Sequence, residues 1–147
     1  MTRAKPPSPL DLPTGGWKPK RRVTQSEHQL QRAVAQYLDV ALPPGSWWTS
    51  IDSAGRGPIA GARMKARGVK RGVADLLIIA DGRSSRSWTT LWVELKSKNG
   101  RLTDDQYAFF HAAVRAGHEY AIIRSVAALD VALRYLGVEL RVARMTP

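Results

Sequence analysis

Two short apolar segments place charged residues where they could hold a metal ion. Asp75 precedes the apolar residues 76–80, and Glu94 and Lys96 lie at the end of residues 91–96. Charged groups in an apolar strand are costly unless they are paired or bound to a metal. Carboxylate oxygens are the hard ligands that Mg²⁺ prefers. A cation held there would neutralise a phosphodiester and lower the pKa of a bound water, which is the chemistry of phosphodiester hydrolysis.

The spacing of these segments predicts an antiparallel hairpin that brings the charges together. Side chains alternate between faces along a strand, so the two charges of the second segment share one face. The linker, residues 81–87, is polar and begins with an Asp-Gly turn signal. A hairpin centred in this linker sets Asp75 opposite Glu94 and Ala80 opposite Thr89. The alternative is a solvated rim of ion pairs without a metal.

Composition favours a single domain with a polyanionic partner. The chain has 147 residues, 44% of them hydrophobic, and no cysteine, which excludes a disulfide framework and a thiolate zinc site. The net charge of +11 indicates nucleic acid as the leading partner, ahead of an anionic membrane surface. No apolar run approaches the roughly 20 residues that cross a bilayer, and no signal peptide is visible. We therefore expect a cytoplasmic protein.

The order of sequence patterns predicts an α/β fold with a mixed central sheet flanked by helices. Residues 1–22 are rich in Pro, Gly, Lys and Arg and predict a disordered basic tail before one domain at 23–147. A capping box at Thr103 and Gln106 begins one of the helices. The predicted helices are residues 26–40, a short helix begun by Pro58, 103–116 and 126–136; the other predicted strands are 47–51, 120–124 and an edge strand at 138–142.

Glu27 is a third candidate carboxylate. It lies one turn before Leu30 on the apolar face of the first helix, which would direct it over the sheet beside the metal site. The alternative is a capping role, because Thr24 and Glu27 have the spacing of a capping box and acids stabilise helix N-termini.

A basic segment leads directly into Asp75. Residues 55–73 contain no acid, so their cations lack local partners and could hold phosphates next to the metal without reading the base sequence. The alternative is a solvated basic loop. The candidate DNA-binding residues are Arg56, Arg63, Lys65, Arg67, Lys70 and Arg71.

These residues and their surroundings resemble a known nuclease family. Asp75 with the run Glu94-Leu95-Lys96 is similar to the PD-(D/E)xK signature. More narrowly, the chain resembles the virus-type replication-repair nuclease (VRR-NUC) domain over about residues 24–126. The matching segments are Glu27 in the first helix and residues 72–78, 92–97 and 100–106. Ala74 stands where the family usually has proline; proline supplies no ligand, so we expect a small effect on preorganisation.

The resemblance implies a restriction-endonuclease-like core and a set of site residues. It assigns metal binding to Asp75, Glu94 and the carbonyl of Leu95, with Glu27 supporting the metal or its water. Lys96 would be the catalytic lysine and Gln106 a further site residue, which the pattern alone identifies only as a cap. The implied cofactor is Mg²⁺, with Mn²⁺ able to substitute.

The resemblance also implies a substrate class. Small stand-alone members of the family are similar to dimeric DNA endonucleases of phage and bacteria that select branched DNA, such as four-way (Holliday) junctions or flaps. We therefore expect a homodimer that functions in DNA repair, in the nucleoid or in a phage-infected cytoplasm. Two alternatives remain open. One is a catalytically weak DNA-binding module that retains the nuclease fold, and the other is an RNA-directed nuclease.

Overall fold

The computed structural model describes residues 26–51, 57–81 and 88–145. The predicted tail, Arg56 and most of the hairpin linker lie outside these ranges. The elements in chain order are α1 (Glu27–Ala41), β1 (Trp47–Ser50), α2 (Pro58–Ala66), β2 (Leu76–Asp81), β3 (Trp88–Leu95), α3 (Asp104–Arg115), β4 (Glu119–Ile123) and α4 (Val126–Tyr135). None of the helices within these ranges is long and apolar enough to span a bilayer.

The four strands form one mixed sheet in the order β1-β2-β3-β4. The β1–β2 and β2–β3 pairs are antiparallel, and the β3–β4 pair is parallel. Ala80 pairs with Thr89 and Leu76 with Val93, so the predicted hairpin register is confirmed. Continuing that register one step outward sets Asp75 opposite Glu94. The α/β prediction of a mixed sheet flanked by helices is therefore confirmed.

One face of the sheet carries the hydrophobic core beneath α1 and α4. Buried residues recur along α1 at helical spacing and along β2 at every second position, as the two periodicities require. Both patterns therefore bury their apolar sides in one cluster. Among the most deeply buried side chains of this core are Leu30, Val34, Leu38, Leu76, Ile78, Val93, Leu129 and Leu133.

The opposite face of the sheet is covered by α3 over β3 and β4. The Trp92 and Phe109 ring centroids lie 5.0 Å apart, and those of Phe110 and Tyr120 lie 5.1 Å apart. Both pairs have edge-to-face geometry, which aromatic rings prefer. Glu94 is two residues after Trp92 in β3 and shares its face by strand alternation. The start of α3 therefore lies next to Glu94.

A buried polar network ties α1 and α4 to the C-terminal segment. Asp130 is fully buried in α4 and accepts hydrogen bonds from the Tyr37 hydroxyl at 2.5 Å and Arg134 Nε at 3.0 Å. Arg134 Nη2 also donates to the Val142 carbonyl at 2.8 Å. A buried carboxylate is tolerated because it is paired and hydrogen-bonded, so the network joins three parts of the chain.

The edge strand predicted at residues 138–142 is wrong. In the described part of the chain this segment forms a single bridge residue at Val138 but no strand, and it follows α4 back across the end of α1. The Val138 amide donates to the Leu133 carbonyl at 3.0 Å, and the Arg141 amide donates to the Ala41 carbonyl at 2.8 Å. The alternating apolar residues reflect burial against the helices, because Val138 is in the core. Alternation alone does not distinguish this packing from a strand.

Candidate active site

Glu94 is the centre of the candidate site, and its two carboxylate oxygens have different surroundings. The side chain is 1% exposed at the end of β3. Its Oε1 atom lies 2.9 Å from Lys96 Nζ and also accepts a hydrogen bond from Gln106 Nε2. Its Oε2 atom is buried and has no hydrogen-bond partner among the described residues. Such an orphaned acceptor costs free energy unless something else binds it.

Asp75 is held beside Glu94 by two hydrogen bonds from backbone amides, one to its carboxylate and one to its own carbonyl. Its Oδ2 atom accepts a hydrogen bond from the Leu95 amide at 2.7 Å. Its own carbonyl accepts one from the Ile51 amide at 2.8 Å. Because Asp75 is bound both to Ile51, just after β1, and to β3, its carboxylate is fixed relative to the backbone of Leu95, whose carbonyl the resemblance assigns as a ligand.

The carboxylates are close enough to disfavour one another's charge. Burial raises the pKa of Asp75, and the Glu27 charge raises it further, whereas the Leu95 amide and Lys96 lower it. Burial likewise raises the pKa of Glu94, with Lys96 lowering it and the charges of Asp75 and Glu27 raising it. One lysine therefore does not fully compensate the acidic site, and a divalent cation would relieve the remaining repulsion.

Glu27 contacts the loop after Lys96 and does not act as the helix cap. The capping box of α1 consists of Ser26 and Gln29, while Thr24 lies outside the described residues. This leaves the Glu27 carboxylate available, and its Oε1 atom accepts a hydrogen bond from the Ser97 amide at 3.1 Å. Glu27 is thus linked to the residue next to Lys96.

The Gln106 side chain makes one hydrogen bond in the cap of α3 and another to Glu94. Its side-chain oxygen accepts a hydrogen bond from the Thr103 amide at 2.9 Å and completes the capping box of α3. Its side-chain nitrogen donates to Glu94 Oε1. The same amide group therefore begins the helix and restrains the buried carboxylate.

Arg124 is a site-supporting residue that the sequence analysis missed. Its Nη1 atom donates to the Ser97 and Lys98 carbonyls, and its Nη2 atom donates to the Gly100 carbonyl at 2.9 Å. A Cβ atom at Gly100 would lie 3.2 Å from the Lys96 side chain, so this turn packs closely on the lysine. No local motif indicates Arg124, because its partners are more than twenty residues away.

The predicted DNA-binding cations lie on and after α2. This helix has no buried residue, and in the described part of the chain none of its cations forms an ion pair. The segment ends at Gly72, whose backbone packs against Asp105 and Gln106 at the start of α3. The cations are therefore exposed, and none of them pairs with a described acid, on the segment that leads to Asp75. The described members are Arg63, Lys65, Arg67, Lys70 and Arg71.

The donor set fits a hard divalent cation. Asp75 and Glu94 provide carboxylate oxygens, and the orphaned Oε2 atom of Glu94 is a buried acceptor without a partner in the described chain. Within the described ranges, no three His, Cys, Asp or Glu side chains form a metal-binding cluster. The protein would therefore supply two carboxylates and a backbone oxygen. Such a small ligand set suits Mg²⁺, because this ion retains several waters in its coordination shell.

Comparisons with known proteins give a match to a family model and a match to a solved structure. The family model of the VRR-NUC domain matches residues 21–127. A solved structure described as a VRR-NUC domain protein is 21% identical and covers 77% of this chain and 94% of its own, with a TM-score of 0.55. At that identity the likeness supports the fold alone. None of the curated proteins compared with this chain matches it.

Proposed function

The chain belongs to the VRR-NUC family of nuclease domains, and on this premise we propose that it is a Mg²⁺-dependent DNA endonuclease. The observation that carries the proposal is the surroundings of Glu94. Lys96 and Gln106 occupy one carboxylate oxygen, and the other is buried without a partner among the described residues. Asp75 lies next in register across the hairpin. This arrangement suits cation binding by a pair of carboxylates.

The proposed roles follow from these contacts. Asp75, Glu94 and the Leu95 carbonyl would hold the cation, which would neutralise the phosphodiester charge and lower the pKa of a bound water. Lys96 Nζ, held 2.9 Å from Glu94 Oε1, is a cation positioned to stabilise negative charge that develops on the phosphate. Gln106 keeps the Glu94 carboxylate in one orientation.

We further propose branched DNA, such as four-way junctions or flaps, as the substrate and a homodimer as the active assembly. The net charge of +11 and the exposed cations on and after α2 support affinity for a polyanion that does not depend on base sequence. A twofold dimer would place two active sites on two strands, which suits paired cuts.

Cleavage of labelled DNA tests the proposal. A four-way junction, a flap, a linear duplex and a single-stranded RNA are incubated with Mg²⁺, Mn²⁺ or EDTA. We expect metal-dependent paired nicks in the junction and a rate at least about 100-fold lower for Lys96→Ala, because a charge-stabilising group is lost. Lys98→Ala, an exposed lysine two residues away, is the matched control and should cleave like the wild type.

The outcomes separate the alternatives. Equal cleavage of all DNA substrates would retain the nuclease and remove the preference for branched DNA. Preferred cleavage of RNA would assign an RNA-directed nuclease. Tight binding of DNA with no cleavage under either metal would instead assign a DNA-binding module that retains the fold.

A further inference from the structure

Tyr120 lies on the same face of the sheet as the candidate site. It pairs with Trp92 in the parallel β3–β4 register, so its ring shares the face of Trp92 and Glu94. Its ring centroid lies 5.1 Å from that of Phe110 and 6.3 Å from that of Phe109 on α3. The ring thus lies between β4 and α3, on the face of the sheet that carries Glu94.

The Tyr120 hydroxyl is an orphaned polar group beside another one. Its Oη atom is buried and has no hydrogen-bond partner in the described part of the chain, as is true of Glu94 Oε2. Tyr120 pairs with Trp92, which precedes Glu94 by two residues on the same face of β3, and burial and the Glu94 charge raise the pKa of the hydroxyl. A buried polar group without a partner costs about 1–3 kcal/mol. Two of them on one face of the sheet, in neighbouring strands, indicate a place where a bound group completes the contacts.

We propose that Tyr120 is a positioning residue whose hydroxyl, unpartnered among the described residues, donates to the Glu94 carboxylate when a divalent cation binds there and so fixes the orientation of that carboxylate. This inference rests on the proposed function of the site. Lys96 and Gln106 already hold Oε1, so the free side of the carboxylate is the Oε2 side. A carboxylate oxygen can accept a hydrogen bond and bind a cation at once. Such supporting hydrogen bonds to ligating carboxylates commonly set metal affinity.

The chemistry of the two groups sets the direction of that hydrogen bond. A phenol carries its proton at neutral pH, whereas an ionised carboxylate can only accept, so the Tyr120 hydroxyl would be the donor.

Calorimetric titration of Mn²⁺ into the metal-free protein tests this role without relying on cleavage. Tyr120→Phe keeps the ring and removes only the hydroxyl. We expect a dissociation constant for Mn²⁺ about 10–100-fold higher than that of the wild type. The thermal midpoint in EDTA should be unchanged or higher, because a buried orphaned group is removed.

Tyr37→Phe is the matched control, since it also removes one buried tyrosine hydroxyl. That hydroxyl has a partner in Asp130 outside the site, so its loss should lower the thermal midpoint and leave Mn²⁺ binding unchanged. An unchanged or lower dissociation constant for Tyr120→Phe would overturn the inference and leave the proposed function standing. If the wild type and Asp75→Asn both failed to bind Mn²⁺, the proposed function and this inference would fall together.

Discussion

Glu94 is a buried carboxylate that is only partly hydrogen-bonded, and burial without full hydrogen bonding is costly. The carboxylate is fully buried, yet only one of its oxygens is hydrogen-bonded within the described residues. Strand alternation and the Asp-Gly turn were enough to predict that Asp75, Glu94 and Lys96 converge. The hydrogen bond from Gln106 to Glu94 and the position of Tyr120 on the same face could not be predicted from these patterns, because they depend on how α3 and β4 pack on β3. Short-range pattern therefore predicts the charged residues, and tertiary packing supplies the groups around them.

At the residue scale, we expect Asp75→Asn to stabilise the metal-free protein. Burial raises the pKa of Asp75, so its ionised form is less favourable in the folded than in the unfolded state. At neutral pH the ionised group therefore lowers stability. Asparagine still offers an oxygen to the Leu95 amide and carries no charge. The thermal midpoint in EDTA should rise, by about 2–4 °C for each kcal/mol regained.

The same variant should lose the response to metal. Added Mn²⁺ stabilises a folded protein that binds it, so the wild-type midpoint should rise with Mn²⁺ while that of Asp75→Asn stays constant. The gain in EDTA should also shrink as the pH falls, because the wild-type carboxyl then becomes protonated. Asp81→Asn, at the exposed end of β2, is the control and should change neither value. A lower midpoint for Asp75→Asn in EDTA would contradict the argument.

At the element scale, Gly72 sets the distance between the chain entering β2 and the start of α3. Its φ is +81°, which favours glycine, and a Cβ atom there would lie 2.2 Å from the Asp105 backbone and 2.7 Å from the Gln106 amide. Gln106 in turn contacts Glu94. This close approach positions the segment before Asp75 against the helix that restrains Glu94.

Comparing two glycine substitutions isolates that contact. Gly68 has a φ of +84°, but a Cβ atom added there would have no neighbour within 4 Å among the described residues. Gly68→Ala should therefore cost only the backbone strain of about 1–2 kcal/mol. Gly72→Ala meets backbone atoms that cannot move aside and should cost at least about 3 kcal/mol. Urea unfolding at neutral pH measures both. If both variants lost the same free energy of unfolding, the contact between Gly72 and α3 would contribute nothing to stability.

The elements themselves differ in how well the sequence predicts them. The helices α1, α3 and α4 have clear periodicity with cap residues, and their predicted positions agree with the structure to within a few residues. The segment at 138–142 was predicted as a strand because its apolar residues alternate. Its partners are the ends of α1 and α4, as the bond between Arg141 and Ala41 shows. A local pattern cannot specify which distant surface buries it.

At the scale of the whole molecule, the buried network around Asp130 should make stability depend on pH. Burial alone would raise the Asp130 pKa, but the hydrogen bonds from Arg134 and Tyr37 outweigh it, and the pKa is lowered. The stabilisation is therefore present above the unfolded-state value of about 4 and is lost as the pH falls through the folded-state value. Asp130→Asn should lower the free energy of unfolding at pH 7, because it removes the carboxylate that pairs with Arg134.

Urea unfolding between pH 7 and pH 3 measures this dependence. The difference in unfolding free energy between the wild type and Asp130→Asn should shrink below about pH 4 as the wild-type carboxyl is protonated. Tyr37→Phe removes a single hydrogen bond to Asp130 and should cost less, about 1–2 kcal/mol. A difference that stayed constant over this range would show that the charge of Asp130 is not the stabilising feature.

The charge of the whole chain bears on how it would hold DNA. Helix α2 has no buried residue, and a helix without an apolar face gains little from packing. Its cations, without ion pairs in the described ranges, are available to phosphates. Replacing Arg63, Lys65 and Arg67 with glutamine should weaken binding to duplex DNA at low salt. It should also reduce the slope of log affinity against log salt by about 2–3, since each phosphate contact contributes about 0.9.

Equal loss of charge elsewhere provides the control for that measurement. Arg32, Arg115 and Arg144 are also exposed, on α1, α3 and the C-terminal segment. Their replacement with glutamine removes the same net charge, so it should reduce long-range attraction but remove no phosphate contact. Fluorescence anisotropy with labelled duplex from 50 to about 200 mM salt compares the slopes. If both triple variants changed the slope equally, the overall charge of +11, and not the segment before Asp75, would hold the DNA.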